Sequence, residues 1–136
     1  MQASLIESPD EHHWVLLDHR VTQLVVDVRS LRLQTWSLDG STELRLAAPF
    51  ALRSAAGVER TLDPAETLGL APALALLRRR VASLTVTRAG DLTVEFGDGT
   101  ALVARPSPRA EAWELQGGGM LEGMAYRCPP GGDMEW

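Results

Sequence analysis

The stretch Arg20-Val21-x-x-Leu24-x-Val26 returns sixty positions later as Arg80-Val81-x-x-Leu84-x-Val86, and the two openings align without a gap. Each is followed by apolar residues at every second position, Leu31-x-Leu33 in the first passage and Leu92-x-Val94 in the second. An Asp-Gly pair comes next, Asp39-Gly40 and Asp98-Gly99. A period of two is that of a strand with one buried face, and Asp-Gly suits tight turns because glycine reaches left-handed backbone at no steric cost. Each passage therefore predicts a three-stranded antiparallel meander, and the pair reads as an internal duplication. Leu92, Val94 and Phe96 share one face, Thr93 and Glu95 the other. Such half-apolar strands need a layer over one face.

The segment between the passages is expected to supply that layer. In Thr61-Leu-Asp-Pro-Ala-Glu66, Asp63 can cap a helix, Pro64 suits its first position, and Glu66 follows three residues after the cap. Gly69 and Pro72 predict an interruption, with a second helix from about residue 71 in which Leu70, Ala73, Leu74, Leu77 and Val81 form a stripe at helical spacing. Arg78, Arg79 and Arg80 then read as cations at the negative helix end rather than as an anion site. The expected class is α+β: two antiparallel meanders with one interrupted helical segment packed on the sheet.

A chain of 136 residues, 45% of them hydrophobic, suits one domain over 1–136. The first ten residues are expected to be flexible. A first meander plus a hairpin (Phe50–Leu52 against Val58–Leu62) spans 20–62, the helical segment 63–80, and a second meander with a further strand 81–115. The tail 116–136 is loop-rich by composition, Gln116 to Gly119 included, with one edge strand between Met120 and Arg127.

The formal charge of −5 argues against nucleic acid as a partner. All 13 basic residues are arginine, and the lack of lysine and asparagine points to a GC-rich bacterial genome. Cys128 is the only cysteine, so no internal disulfide forms. No signal peptide or membrane span is legible, and the chain is expected in the cytoplasm, away from membranes.

Candidate chemistry centres on Glu111-Ala-Trp113-Glu114-Leu115. In a strand from 110 to 115, Glu111 and Trp113 face one way and Glu114 the other, so the two acids do not share a substrate as a glycosidase pair must. Trp113 is expected to be structural, and Glu111, Trp113 and Glu114 are the candidate binding residues. His12, His13 and His19 stand near Asp10, Glu11 and Asp18, but their spacing favours surface histidines over a zinc site. The four tryptophans read as core volume rather than a stacking platform. Cys128 has no flanking signature of a cysteine enzyme, and the glycine runs lack the setting of a phosphate loop. No cofactor, metal or catalytic residue is expected.

These features, together with Pro49-Phe50, Thr61-Leu-Asp-Pro64, Leu70 to Leu77 and above all Glu111 to Leu115, resemble a family of short bacterial proteins known only as a domain of unknown function. The resemblance runs from about residue 18 onward and transfers no activity. The expected function is a non-catalytic protein-interaction or ligand-binding domain, with another protein as partner and homodimerisation, by edge pairing or through a shared apolar face, as a further option. A specific version is an acidic, immunity-type inhibitor of a basic toxin. The competing expectation is a small hydrolase or sugar-modifying enzyme using Glu111 or Glu114.

Overall fold

The structure, a computed structural model, describes residues 4–136. Among these residues eleven strands pair antiparallel in one sheet. They are β1 (Ser4–Glu7), β2 (Glu11–Val26), β3 (Leu31–Ser37), β4 (Gly40–Leu46), β5 (Phe50–Arg53) and β6 (Glu59–Leu62). A 3-10 helix (Thr67–Leu76) precedes β7 (Arg80–Thr87), β8 (Leu92–Phe96), β9 (Ala101–Ala104), β10 (Trp113–Gly119) and β11 (Ala125–Arg127). The order is β11-β10-β4-β3-β2-β7-β8-β9-β5-β6, with β1 added to the first half of the long β2.

The two recurring passages meet head to head. Arg20 is directly opposite Arg80 in the β2–β7 ladder, and His19 is opposite Val81. Matched residues facing each other across an antiparallel pair define a local twofold axis, and the strand order is palindromic about it. Each meander is followed by a hairpin that joins the other meander: β5 pairs with β9, and β10 with β4. The first residue of each hairpin takes the same place, Phe50 opposite Ala104 and Trp113 opposite Leu46. The hairpins are thus exchanged between the two halves of the chain.

The sheet curls until its two wings share one core. The Trp113 indole N–H donates to the Gly90 carbonyl at 2.9 Å, although Gly90 lies in the β7–β8 turn and β4, β3 and β2 intervene between β10 and β7. Leu31, Leu33, Leu44 and Leu46 from one wing and Val86, Leu92, Val94 and Leu102 from the other belong to a single buried cluster. A curled sheet closes over its own apolar face.

This arrangement corrects the α+β expectation: the fold is largely β, and the 3-10 helix is the sole helix among the described residues. Its buried residues, Leu70, Ala73 and Leu76, recur every third position, as three residues per turn require. Leu74 and Leu77, which a 3.6-residue period would place inward, are exposed. Pro72 lies inside the helix and has no N–H to give, while Asp63 caps a turn instead, accepting from the Ala65 N–H at 2.9 Å. The arginines fall beyond the helix end. Arg78 is left-handed (φ 70), Arg79 pairs with Asp98, and Arg80 opens β7.

Two further expectations change. Ser4 to Glu7 pairs with β2 instead of being flexible, and residues 1–3 lie outside the described residues. Gln116 to Gly119 is strand, not loop, because glycine there lets backbones approach. A Cβ on Gly117 would stand 2.0 Å from the Leu121 carbonyl oxygen, and one on Gly40 would stand 2.4 Å from that of Gly118. The 50–62 hairpin and the edge strand within 120–127 form as the sequence indicates. No helix among the described residues is long and apolar enough to cross a membrane.

Candidate functional site

β10 starts at Trp113, so Glu111 precedes the strand and parity does not govern it. Contrary to the expectation, the two acids converge. Arg127 on the neighbouring β11 reaches both, with Nε 3.4 Å from Glu111 Oε1 and Nη2 3.0 Å from Glu114 Oε2. The guanidinium bridges the pair, and of the two acids only Glu111 lines the adjoining cleft of about 690 Å³, together with Arg127 and Tyr126. Glu114 also accepts from the Gln116 amide at 2.7 Å. Trp113 is 1% exposed and offers no face to a ligand. The three residues brought together by the sequence motif therefore divide into a core anchor and a surface ion cluster, and surface ion pairs of this kind add little stability.

The histidines also separate. His12 Nδ1 lies 2.7 Å from the Tyr126 hydroxyl, with its ring stacked on Trp136 at 4.1 Å, and His13 Nδ1 lies 2.7 Å from Thr85 Oγ1. His19 is fully buried rather than at the surface. Among the described residues no group of three His, Cys, Asp or Glu side chains is placed to hold a metal ion. Cys128 is buried with Sγ 3.4 Å from the Gly90 carbonyl oxygen, and burial, then Asp91, pushes its thiol above the ordinary range. It is not poised as a nucleophile.

The feature that the motifs do not flag is the tip of the β3–β4 hairpin. Along β3 the inward residues are Leu31, Leu33, Thr35 and Ser37, which turns Trp36 outward. Trp36 is 55% exposed, Leu38 in the turn is 92% exposed, and Met120 on the adjoining turn is 60% exposed. The Met120 N–H donates to the Asp39 carbonyl at 3.0 Å, which holds the two turns together. Beside Trp36 lies a cleft of about 420 Å³ lined by Asp18, Arg20, Thr22, Trp36, Ser37, Leu38 and Asp39. Asp18 is left-handed (φ 55), at a register shift in β2 between Val15 and His19. Neither Asp18 nor Asp39 has an ion-pair partner among the described residues.

A polar network supports this tip from inside. His19 Nε2 lies 3.0 Å from Ser37 Oγ, and Nδ1 lies 3.3 Å from Thr35 Oγ1, which bonds Thr42. A hydroxyl–imidazole pair is the arrangement that activates a serine nucleophile, but here strand parity turns both side chains inward, where they are buried, although Ser37 itself is among the residues lining the cleft. Ser37 Oγ also accepts from the Asp39 N–H at 3.1 Å and so shapes the turn. The second half of the molecule builds the same place differently. Thr35 is opposite Val21 and Phe96 is opposite Val81, and Arg79 lies over the Phe96 ring at 5.6 Å. A polar network is thus not a requirement of this sheet position.

Burial holds the His19 imidazole below its ordinary value, with Asp39 opposing in part. The unfolded chain binds the proton more readily, so stability is fully present above about pH 6.5 and is lost as pH falls from there towards the lowered folded value. In urea titrations at pH 7 and pH 5.5, His19→Gln should lose less of its midpoint on acidification than the parent chain.

A sequence model of one protein family matches residues 14–136, which covers both meanders, both exchanged hairpins and the tip. The chain belongs to the family of unknown function DUF6188. No curated protein matches it, and no solved structure does. In this DUF6188 member, residues 4–13, with β1 and the start of β2, lie outside the matched region. The sheet palindrome does not depend on them, since it is centred on Arg20 and Arg80.

Proposed function

We propose that the chain is a non-catalytic protein-interaction domain that docks a basic partner on the Trp36–Leu38–Met120 tip. The observation that carries this reading is the exposure of three large apolar side chains at the end of β3 and on two turns joined by a backbone hydrogen bond. Exposed tryptophan flanked by aliphatic side chains is the composition of an interface hot spot. Asp18 and Asp39 stand beside it without ion-pair partners among the described residues, against one cation in the cleft, Arg20, which donates to the Arg78 carbonyl at 3.2 Å, and with the chain at −5 overall a cationic surface is the complementary one. An arginine or lysine of the partner can lie against Trp36 with its charge towards these carboxylates. The alternative use of Glu111 and Glu114 as a hydrolytic pair loses its support to Arg127.

A photo-crosslinking residue at position 38, introduced in the native cell, should trap a partner whose contact surface is rich in arginine or lysine. With that partner purified, Trp36→Ala should weaken binding about thirtyfold or more, as hot-spot truncations do. Association should also slow as salt is raised. An acidic contact surface, or an affinity unchanged by Trp36→Ala, would count against the reading.

A further inference from the structure

A second site lies in a groove between the β5–β6 hairpin and the 3-10 helix. Its volume is about 330 Å³, at the small end of the range for ligand pockets. Leu52, Val58, Ala75, Leu76 and Ala101 make its apolar surface, and it shares no lining residue with the cleft at the tip. The 3-10 winding creates this wall. With three residues per turn, Pro72 and Ala75 stack on one ridge facing the hairpin, and the small Ala75 and Ala101 leave the space open.

The charge around the groove runs against that of the chain. Arg53, Arg60 and Arg79 line it and no carboxylate does. Arg53 is held by Glu59 at 2.9 Å, and Arg79 by Asp98 at 3.4 Å and by Thr100 at 3.0 Å. Glu59 is shared with Arg105, at 3.0 Å, so it is already doubly engaged. Arg60 has no ion-pair partner among the described residues, and its Cα pairs with that of Leu52 on the apolar side. A planar guanidinium at the mouth of an apolar groove is complementary to a carboxylate attached to a hydrocarbon body. We propose that this groove binds a monomeric medium-chain carboxylate, with the acyl chain along Leu52, Val58 and Ala75 and the head group on Arg60. Apolar burial and the charge-assisted hydrogen bond then act on one ligand.

The full-length protein is titrated with decanoate below its micellar concentration and followed by calorimetry. The expected result is saturable binding of one molecule per chain, about tenfold weaker in Arg60→Glu and abolished in Ala75→Trp, which fills the groove. Both substitutions are at exposed positions, and circular dichroism of each variant reports whether it is folded. Decyltrimethylammonium, with the same chain and the opposite charge, should not bind. The proposal is overturned by an absence of saturable binding, by equal binding of the two amphiphiles, by an affinity indifferent to both substitutions, or by association with anionic vesicles alone. The interaction at the tip stands or falls separately, because Trp36→Ala should leave decanoate binding unchanged.

Discussion

Replacing Trp113 with alanine is expected to lower the unfolding free energy by about 3 to 5 kcal/mol, the range for deleting a buried aromatic side chain. The ring is the first residue of β10, opposite Leu46, and is buried in the core shared by the two wings of the sheet. Its loss also takes the indole donor from the Gly90 carbonyl, which among the described residues retains the Cys128 thiol at 3.4 Å. Glu114→Gln, one position along, should change stability by under about 1 kcal/mol, because its pairing with the exposed Arg127 is a surface interaction. Chemical denaturation of the two variants gives both values. The opposite ranking would mean that the acid, not the ring, is the structural element.

Gly90→Ala should be the second large loss, about 2 to 4 kcal/mol, from backbone strain and overpacking together. Gly90 sits at φ +98, where an alanine is strained. Space is also lacking: a Cβ there would lie 2.8 Å from Gly132 Cα and 3.1 Å from Cys128 Sγ. The substitution forces the C-terminal segment off the β7–β8 turn and moves the carbonyl that receives Trp113. Gly57→Ala makes a useful comparison, since it has positive φ (+87) but nothing within 4 Å of the added atom. The difference between the two variants, read from denaturation midpoints, isolates the packing contribution at Gly90.

Much of the sheet is legible in the residues. Alternation in Leu31-x-Leu33 and Leu92-x-Val94 identifies strands and their inner faces, and the β5–β6 hairpin follows from the small residues Ser54 to Gly57 that split it. What alternation does not encode is the partner of each strand. Phe50 follows β4 by a short linker, yet it pairs with Ala104, fifty-four positions on, because only the curled sheet brings the end of the other meander beside it. The helix shows a different limit. Gly69 and Pro72 mark an interruption correctly, but whether the segment winds at three or 3.6 residues per turn depends on the sheet it covers, and Leu70, Ala73 and Leu76 satisfy the tighter period.

The candidate sites divide in the same way. For Glu111 and Glu114, strand parity is sound only where there is a strand, and β10 begins three residues later than the expected position 110. Arg127, from the last hairpin, then bridges acids that parity had kept apart. At the tip, the signal was present. If Leu31 and Leu33 face inward, so do Thr35 and Ser37, which leaves Trp36 outside and makes Thr35 a polar residue at a core position. Treating all four tryptophans as core volume hides this, since Trp14 and Trp113 are buried while Trp36 and Trp136 are exposed.

Hydrogen exchange at the tryptophan indoles, resolved by NMR, tests most directly that the exchanged hairpins close one curled sheet. The indole N–H of Trp113, donated to Gly90 across the core, should exchange as slowly as the central amides of β7 and β8, while the exposed Trp36 should exchange within the dead time. Comparable fast exchange at both indoles would show that β10 does not lie against the β7–β8 turn, and the closed sheet would have to be abandoned.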